Sequence, residues 1–178
     1  MTARVLVAGV GNVFLGDDGF GVEVTRRLST VALPDWVRVV DYGIRGMHLA
    51  YDMAGGEQEL TIMVDATTRG DPPGTVYVID LDTSTPAVPR SSDGTEVAAQ
   101  FMDAHGMQPD VVLNLIRLLG GEPGKVLLVG CEPAVLDDDM SLSEAVGGAV
   151  DTAVQAVVDL IEEYESEHES LSVVRDWC

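Results

Sequence analysis

Eleven residues, Gly9-Val10-Gly11-Asn12-Val13-Phe14-Leu15-Gly16-Asp17-Asp18-Gly19, follow the apolar run Val5-Leu6-Val7-Ala8 and end in two adjacent carboxylates. A glycine turn between a strand and a helix commonly cradles phosphate, because backbone N–H groups and the partial positive charge of the helix N-terminus converge there. Two aspartates at that point repel phosphate and attract a cation. The phosphate motifs also fail residue by residue. Phe14 stands where a dinucleotide fingerprint needs its third glycine, and Asp17-Asp18 stand where a P-loop needs Lys followed by Ser or Thr.

In an open α/β sheet, ligands gather at the carboxyl ends of the strands. The polar residues expected there are Asp18 after the first strand, Asp41 after the second and Asp65 after the third, with His105 shortly before a later helix. Each has an ordinary alternative: Asp17 or Asp18 as a helix cap, Asp41 and Asp65 as turn formers, His105 as a loop histidine. Together, two carboxylates and one imidazole make a half-shell for a first-row divalent metal with positions left open. The sequence holds no Ser-His-Asp arrangement, no His-Glu-x-x-His helix and no cysteine placed as an evident nucleophile.

Runs rich in Val, Ile and Leu at 4–9, 36–41, 59–65, 74–80 and 125–130 read as strands, with helical patterns between most of them, which is an α/β layout. The first helix is expected to start near Asp17 or Asp18 and to place Phe20, Val24, Leu28 and Val31 on one face. A short helix follows Gly46, and another runs from Pro109 to the Gly120-Gly121 stop. The last is expected to open on a capping box, Ser141 to Glu144, and to end about Tyr164. The link between the strands at 59–65 and 74–80 is too short for a helical crossover, so those strands should be antiparallel. The stretch from Asp82 to Asp103 reads as a long surface excursion.

At 178 residues the chain fits one domain, expected over 1–164, with 165–178 as an acidic, flexible tail. Thirty acidic against ten basic residues give a formal charge of −20, which argues against nucleic acid or an anionic membrane surface as a partner. No apolar run reaches the roughly 18 to 20 residues of a membrane span, and the opening residues show no cleavage site, so a cytoplasmic protein is expected. Cys131 and Cys178 form neither a disulfide framework nor a metal spacing; Cys131 reads as a buried strand-end residue and Cys178 as an exposed free thiol.

Residues 9–21, Asp41-Tyr42-Gly43-Ile44-Arg45-Gly46, Met63-Val64-Asp65-Ala66, His105 and Val129-Gly130-Cys131-Glu132-Pro133, in that order, resemble the nickel-iron hydrogenase maturation endopeptidases over roughly residues 4 to 164. The resemblance implies a three-layer α/β/α sandwich whose twisted, mixed, mostly parallel sheet has about five strands. It also implies an enzyme that removes a short C-terminal extension from the hydrogenase large-subunit precursor once nickel has been inserted. The family's metal-binding trio falls on Asp18, Asp65 and His105, which are therefore the expected metal-binding and catalytic residues. Nickel would be supplied by the substrate rather than permanently bound. His48 and His168 compete with His105 for the third place, and Asp17 is the less expected ligand beside Asp18. One departure, Asp41-Tyr42-Gly43-Ile44 where many relatives read Asp-Gly-Gly-Thr, is expected to alter the surface that selects a particular hydrogenase. Whether a metal-bound water or a carboxylate base attacks the peptide bond stays open. Two other classes also stay open: a non-catalytic nickel-binding or assembly module, and a nucleotide-binding domain that the two aspartates count against.

Overall fold

Side chains alternate across the sheet, and in this chain both faces of the central strands are apolar. Val5 and Val7 of β1 (Val5–Val10) face one cluster, while Leu6, Ala8 and Val10 face another. The same division sends Leu60, Ile62 and Val64 of β3 (Leu60–Ala66) one way and Met63 the other. A strand buried on both faces needs helices on both sides, which is the condition for a largely parallel sheet. The computed structural model, which describes residues 4–81, 83 and 109–175, has that arrangement.

The sheet has five strands in the order β2-β1-β3-β5-β4, with β2 at Val37–Gly43, β4 at Val76–Leu81 and β5 at Lys125–Cys131. All neighbours are parallel except β4 and β5. Helix α1 (Phe20–Leu28) and helix α4 (Glu144–Arg175) cover one face, and α2 (Gly46–Ala54) and α3 (Pro109–Leu118) cover the other. The expected three-layer α/β/α sandwich with a mixed, mostly parallel sheet is the fold found. Phe20, with no exposed surface, anchors α1, and burying such a ring contributes roughly 2–3 kcal/mol.

Three expectations are corrected. The strands near 59–65 and 74–80 do run in opposite directions, but they are not neighbours: β5 inserts between β3 and β4. Burial explains this, since β3 is enclosed along almost its whole length while β4 is half-exposed and suits an edge. The last helix is capped by Ser143, not Ser141. The Ser143 carbonyl accepts from Gly147 N–H at 2.8 Å and its hydroxyl from Val146 N–H at 3.4 Å, whereas the Ser141 hydroxyl turns to Asp139 Oδ1 at 2.8 Å. Helix α4 also runs on to Arg175, where the last helix was expected to end about Tyr164. Most of the Asp82–Asp103 excursion, His105 and Cys178 lie outside the described residues.

Candidate active site

The glycine turn owes its composition to crowding. Gly11 has φ of +131°, a conformation that side chains resist, and a Cβ there would come within 1.8 Å of the Asp18 carbonyl oxygen. At Gly21, the second residue of α1, a Cβ would meet the Val64 carbonyl oxygen at 2.2 Å. These glycines let the turn fold back on Asp18 and let α1 press against β3. A phosphate cradle is not needed to explain them.

The turn closes through Gly16–Gly19, one turn of 3-10 helix, before α1 begins. Neither aspartate caps a helix with its side chain. Asp18 is half-buried, and its Oδ2 accepts the Asn12 N–H at 2.6 Å. Asp65, the penultimate residue of β3, projects from the face shared by α2 and α3 and is 7% exposed. The parallel pairing of β1 with β3 brings the two strand ends side by side. Burial pushes the Asp65 carboxyl well above its ordinary value, and the nearby Asp18 charge pushes it further; a hydrogen bond from the Ala66 N–H opposes them only in part.

Asp18 and Asp65 line one cleft of about 490 Å³. Its floor includes Gly11 and Leu128, one wall is Ala66-Thr67-Thr68, and Ile44, Leu136 and the first residues of α3 complete the outline. The Thr wall is held from behind. Tyr77 OH donates to the Thr67 carbonyl at 2.6 Å, and the buried Glu132 carboxylate accepts Arg69 N–H at 2.7 Å and Gly70 N–H at 3.2 Å. Gly130, opposite Asp65 in the β3–β5 register, makes room for the Tyr77 ring, which a Cβ would meet at 2.2 Å. Ile44 and Leu136, which line the cleft, expose large apolar side chains, as do Phe14 in the glycine turn and Met140 between β5 and α4.

Chemically, two carboxylates share one field and one of them resists ionising. A divalent cation between them relieves both the burial penalty and their mutual repulsion, so the donor chemistry fits a metal. Among the described residues no group of three His, Cys, Asp or Glu side chains stands together as a metal cage. The third expected ligand, His105, lies outside those residues. Its competitors are not cleft-lining: His48 is exposed on α2, and His168 lies against Glu59 at the opposite end of the sheet. Asp41 is exposed at the end of β2 and does not line the cleft.

Two functional-looking groups resolve as structural. Cys131 is fully buried, and desolvation, with the Asp17 and Glu132 charges, pushes its thiol up to about 11, so it is no thiolate nucleophile at neutral pH. Asp17 is fully buried but accepts hydrogen bonds from Ala134, Val135 and Ser143. Burial works against its charge, yet these donors hold its carboxyl below the usual range. Nothing in the sequence spacing signals this role, because its partners lie 117 to 126 residues away.

Comparison with known proteins agrees with this architecture. The hydrogenase maturation protease family model matches residues 22–160. The hydrogenase expression/formation protein HupD of Rhodobacter capsulatus is 36% identical over 157 residues, covering 87% of this chain and 70% of the relative. The hydrogenase 2 maturation protease of Escherichia coli is 31% identical over 162 residues, covering 90% of this chain and 92% of the relative. Among solved structures, the maturating endopeptidase HybD from E. coli superposes with a TM-score of 0.68 at 29% identity, covering 90% of this chain and 93% of that one. A hydrogenase 2 maturation peptidase from a Thaumarchaeota archaeon gives 0.65 at 33% identity, covering 89% and 97%. With a family model spanning most of its length and relatives above 30% identity along nearly all of it, the chain belongs to the hydrogenase maturation protease family.

Proposed function

We propose that this protein is an endopeptidase that trims the C-terminal extension of a nickel-iron hydrogenase large-subunit precursor after nickel insertion, and that Asp18, Asp65 and His105 engage the nickel carried by that substrate. Family membership makes it a peptide hydrolase of hydrogenase maturation. The finer reading rests on one observation: Asp18 and Asp65 line the same cleft, and Asp65 resists ionisation there partly because of the Asp18 charge. A nickel ion placed there would offset that penalty, so the cleft suits a substrate that carries a cation. The exposed apolar side chains of Ile44 and Leu136 on the cleft suit a polypeptide better than a small polar metabolite.

On this reading nickel is part of the substrate. It licenses cutting by docking on the carboxylates and holding the adjacent peptide bond in the cleft. The carboxylates orient the nickel-bearing segment, and a carboxylate that the ion leaves uncoordinated can take a proton from attacking water. The working environment is the cytoplasm; consistent with that, no described helix is long and apolar enough to cross a membrane. Incubation with nickel-loaded and nickel-free precursor, read by intact mass, tests the proposal. Loss of the extension only from the loaded form is the expected result. Equal trimming of both forms removes the nickel licence, and unchanged mass of both removes the peptidase reading in favour of an assembly module.

A further inference from the structure

One buried carboxylate takes no part in the cleft. Asp17 has no exposed surface, does not line the cleft and caps no helix, yet both of its oxygens are fully engaged. Oδ2 accepts the N–H groups of Ala134 at 2.7 Å and Val135 at 2.8 Å and the Ser143 hydroxyl at 2.9 Å, and Oδ1 accepts the Ser143 N–H at 2.7 Å. The backbone joins in: Asp17 N–H donates to the Val135 carbonyl at 2.9 Å, Gly16 N–H donates to the Asp139 carbonyl at 2.7 Å, and Leu15 bridges Asp139. The end of the glycine turn is thereby fastened to the irregular segment between β5 and α4. On one side of this joint stands Asp18, on the other Leu136, and both line the cleft.

We infer that Asp17 is a positioning residue whose carboxylate locks the glycine turn to the β5–α4 loop, fixing Asp18 against Leu136 and with them the width of the substrate cleft. The proposal rests on the peptidase reading of that cleft. A carboxylate is suited to this joint because it only accepts, and four donors converge on it; an amide of the same shape offers one acceptor oxygen and turns an NH₂ toward donors. The sequence neighbours Asp17 and Asp18 then divide the labour. One carboxylate faces the substrate while the other ties the two walls together.

Asp17→Asn, Ser143→Ala and Ser143→Thr, each measured well below its thermal midpoint, test this. Hydrogen exchange at Ala134, Val135 and Ser143 should accelerate in Asp17→Asn while β1 and β3 keep wild-type protection. For processing of nickel-loaded precursor, Asp17→Asn should lose on the order of tenfold to a hundredfold in kcat/KM, with KM raised as well as kcat lowered. Ser143→Ala, which removes the hydroxyl that donates to Asp17 and also accepts from Val146 N–H at the start of α4, should fall between, and Ser143→Thr, which restores a hydroxyl able to do both, should return to near wild type. Unchanged exchange in the loop overturns the proposal. So does an unchanged KM with kcat falling only as the folded fraction falls, which is what a purely stabilising carboxylate would give. If the wild type itself leaves the precursor uncut, the peptidase reading fails, and the lock stands or falls on the exchange measurement.

Discussion

The two ends of the sheet treat a carboxylate in opposite ways. At the amino ends of the strands, Glu59 receives Arg4 through two 3.1 Å hydrogen bonds, Tyr164 OH at 2.6 Å and His168 Nε2 at 3.2 Å, and its carboxyl lies at about 2, held down first by Arg4 and then by Tyr164. The Tyr164 and His168 rings stack with centroids 3.9 Å apart, and the Arg4 guanidinium lies over Tyr164. At the carboxyl ends, Asp65 is buried near Asp18 and pushed up. The first arrangement spends its charge on holding α4 to the strands. The second sets a buried carboxyl near another acid, which raises the cost of ionising it and leaves an attraction for a cation from outside.

The sharpest way to break this contrast is at Asp18. Asp18→Asn removes half of the acidic pair at nearly constant shape, and processing of nickel-loaded precursor, followed by intact mass, should fall at least a hundredfold while the thermal midpoint stays close to wild type. Normal trimming by the variant would show that the pair has no part in the reaction.

Asp65→Asn should separate activity from stability. A folded-state value above the ordinary 3.8 means that Asp65 favours folding while protonated. That contribution is present below the unfolded value and is lost as pH rises through the folded one, so at neutral pH the ionised group is a burden. The variant should be inactive, with a thermal midpoint at pH 7 equal to or above wild type. A marked fall in the midpoint would mean that the carboxylate stabilises its own site.

At the other end, Glu59→Gln should leave processing intact and cost stability. The folded value lies below the ordinary 4.5, so the contribution is present above that value and fades as pH falls from 4.5 toward about 2. Because the side chain is 49% exposed, solvent screening limits the loss to about 1 kcal/mol or less, visible in chemical denaturation at pH 7 and absent at pH 2. The smallest effect on activity belongs to Cys131→Ala, which should trim precursor at the wild-type rate while losing about 1 kcal/mol of core packing. Abolished processing in a folded Cys131→Ala protein would reopen a thiol mechanism.

What could be read in the sequence follows physical range. Strand and helix periods are local, so β1, β3 and β5, the buried stripe of α1 and the span of α3 were all legible from neighbouring residues. The meeting of Asp18 and Asp65 was legible too, because both follow apolar strands and strand ends in such sheets converge. The insertion of β5 beside β3 was not, since the length of the β3–β4 link sets direction but not adjacency. The tasks of Asp17 and Glu132 were equally hidden: each is decided by amide groups more than 60 residues distant, and no spacing rule reaches that far. Ser143 rather than Ser141 capped α4 because Ser141 was already taken by Asp139, a competition that the serine pattern alone does not reveal.

Helix α4 starts beside the Asp17 joint and passes Tyr164 at the far end of the sheet, a run from Glu144 to Glu165 of roughly 30 Å. This has a practical use for anyone tethering the molecule to a sensor chip. An attachment at exposed Glu165 leaves the cleft pointing away from the support, with room for a bulky analyte to approach. An anchor near Asp137 or Asp138, on the cleft side, would instead crowd the mouth and blunt any binding signal.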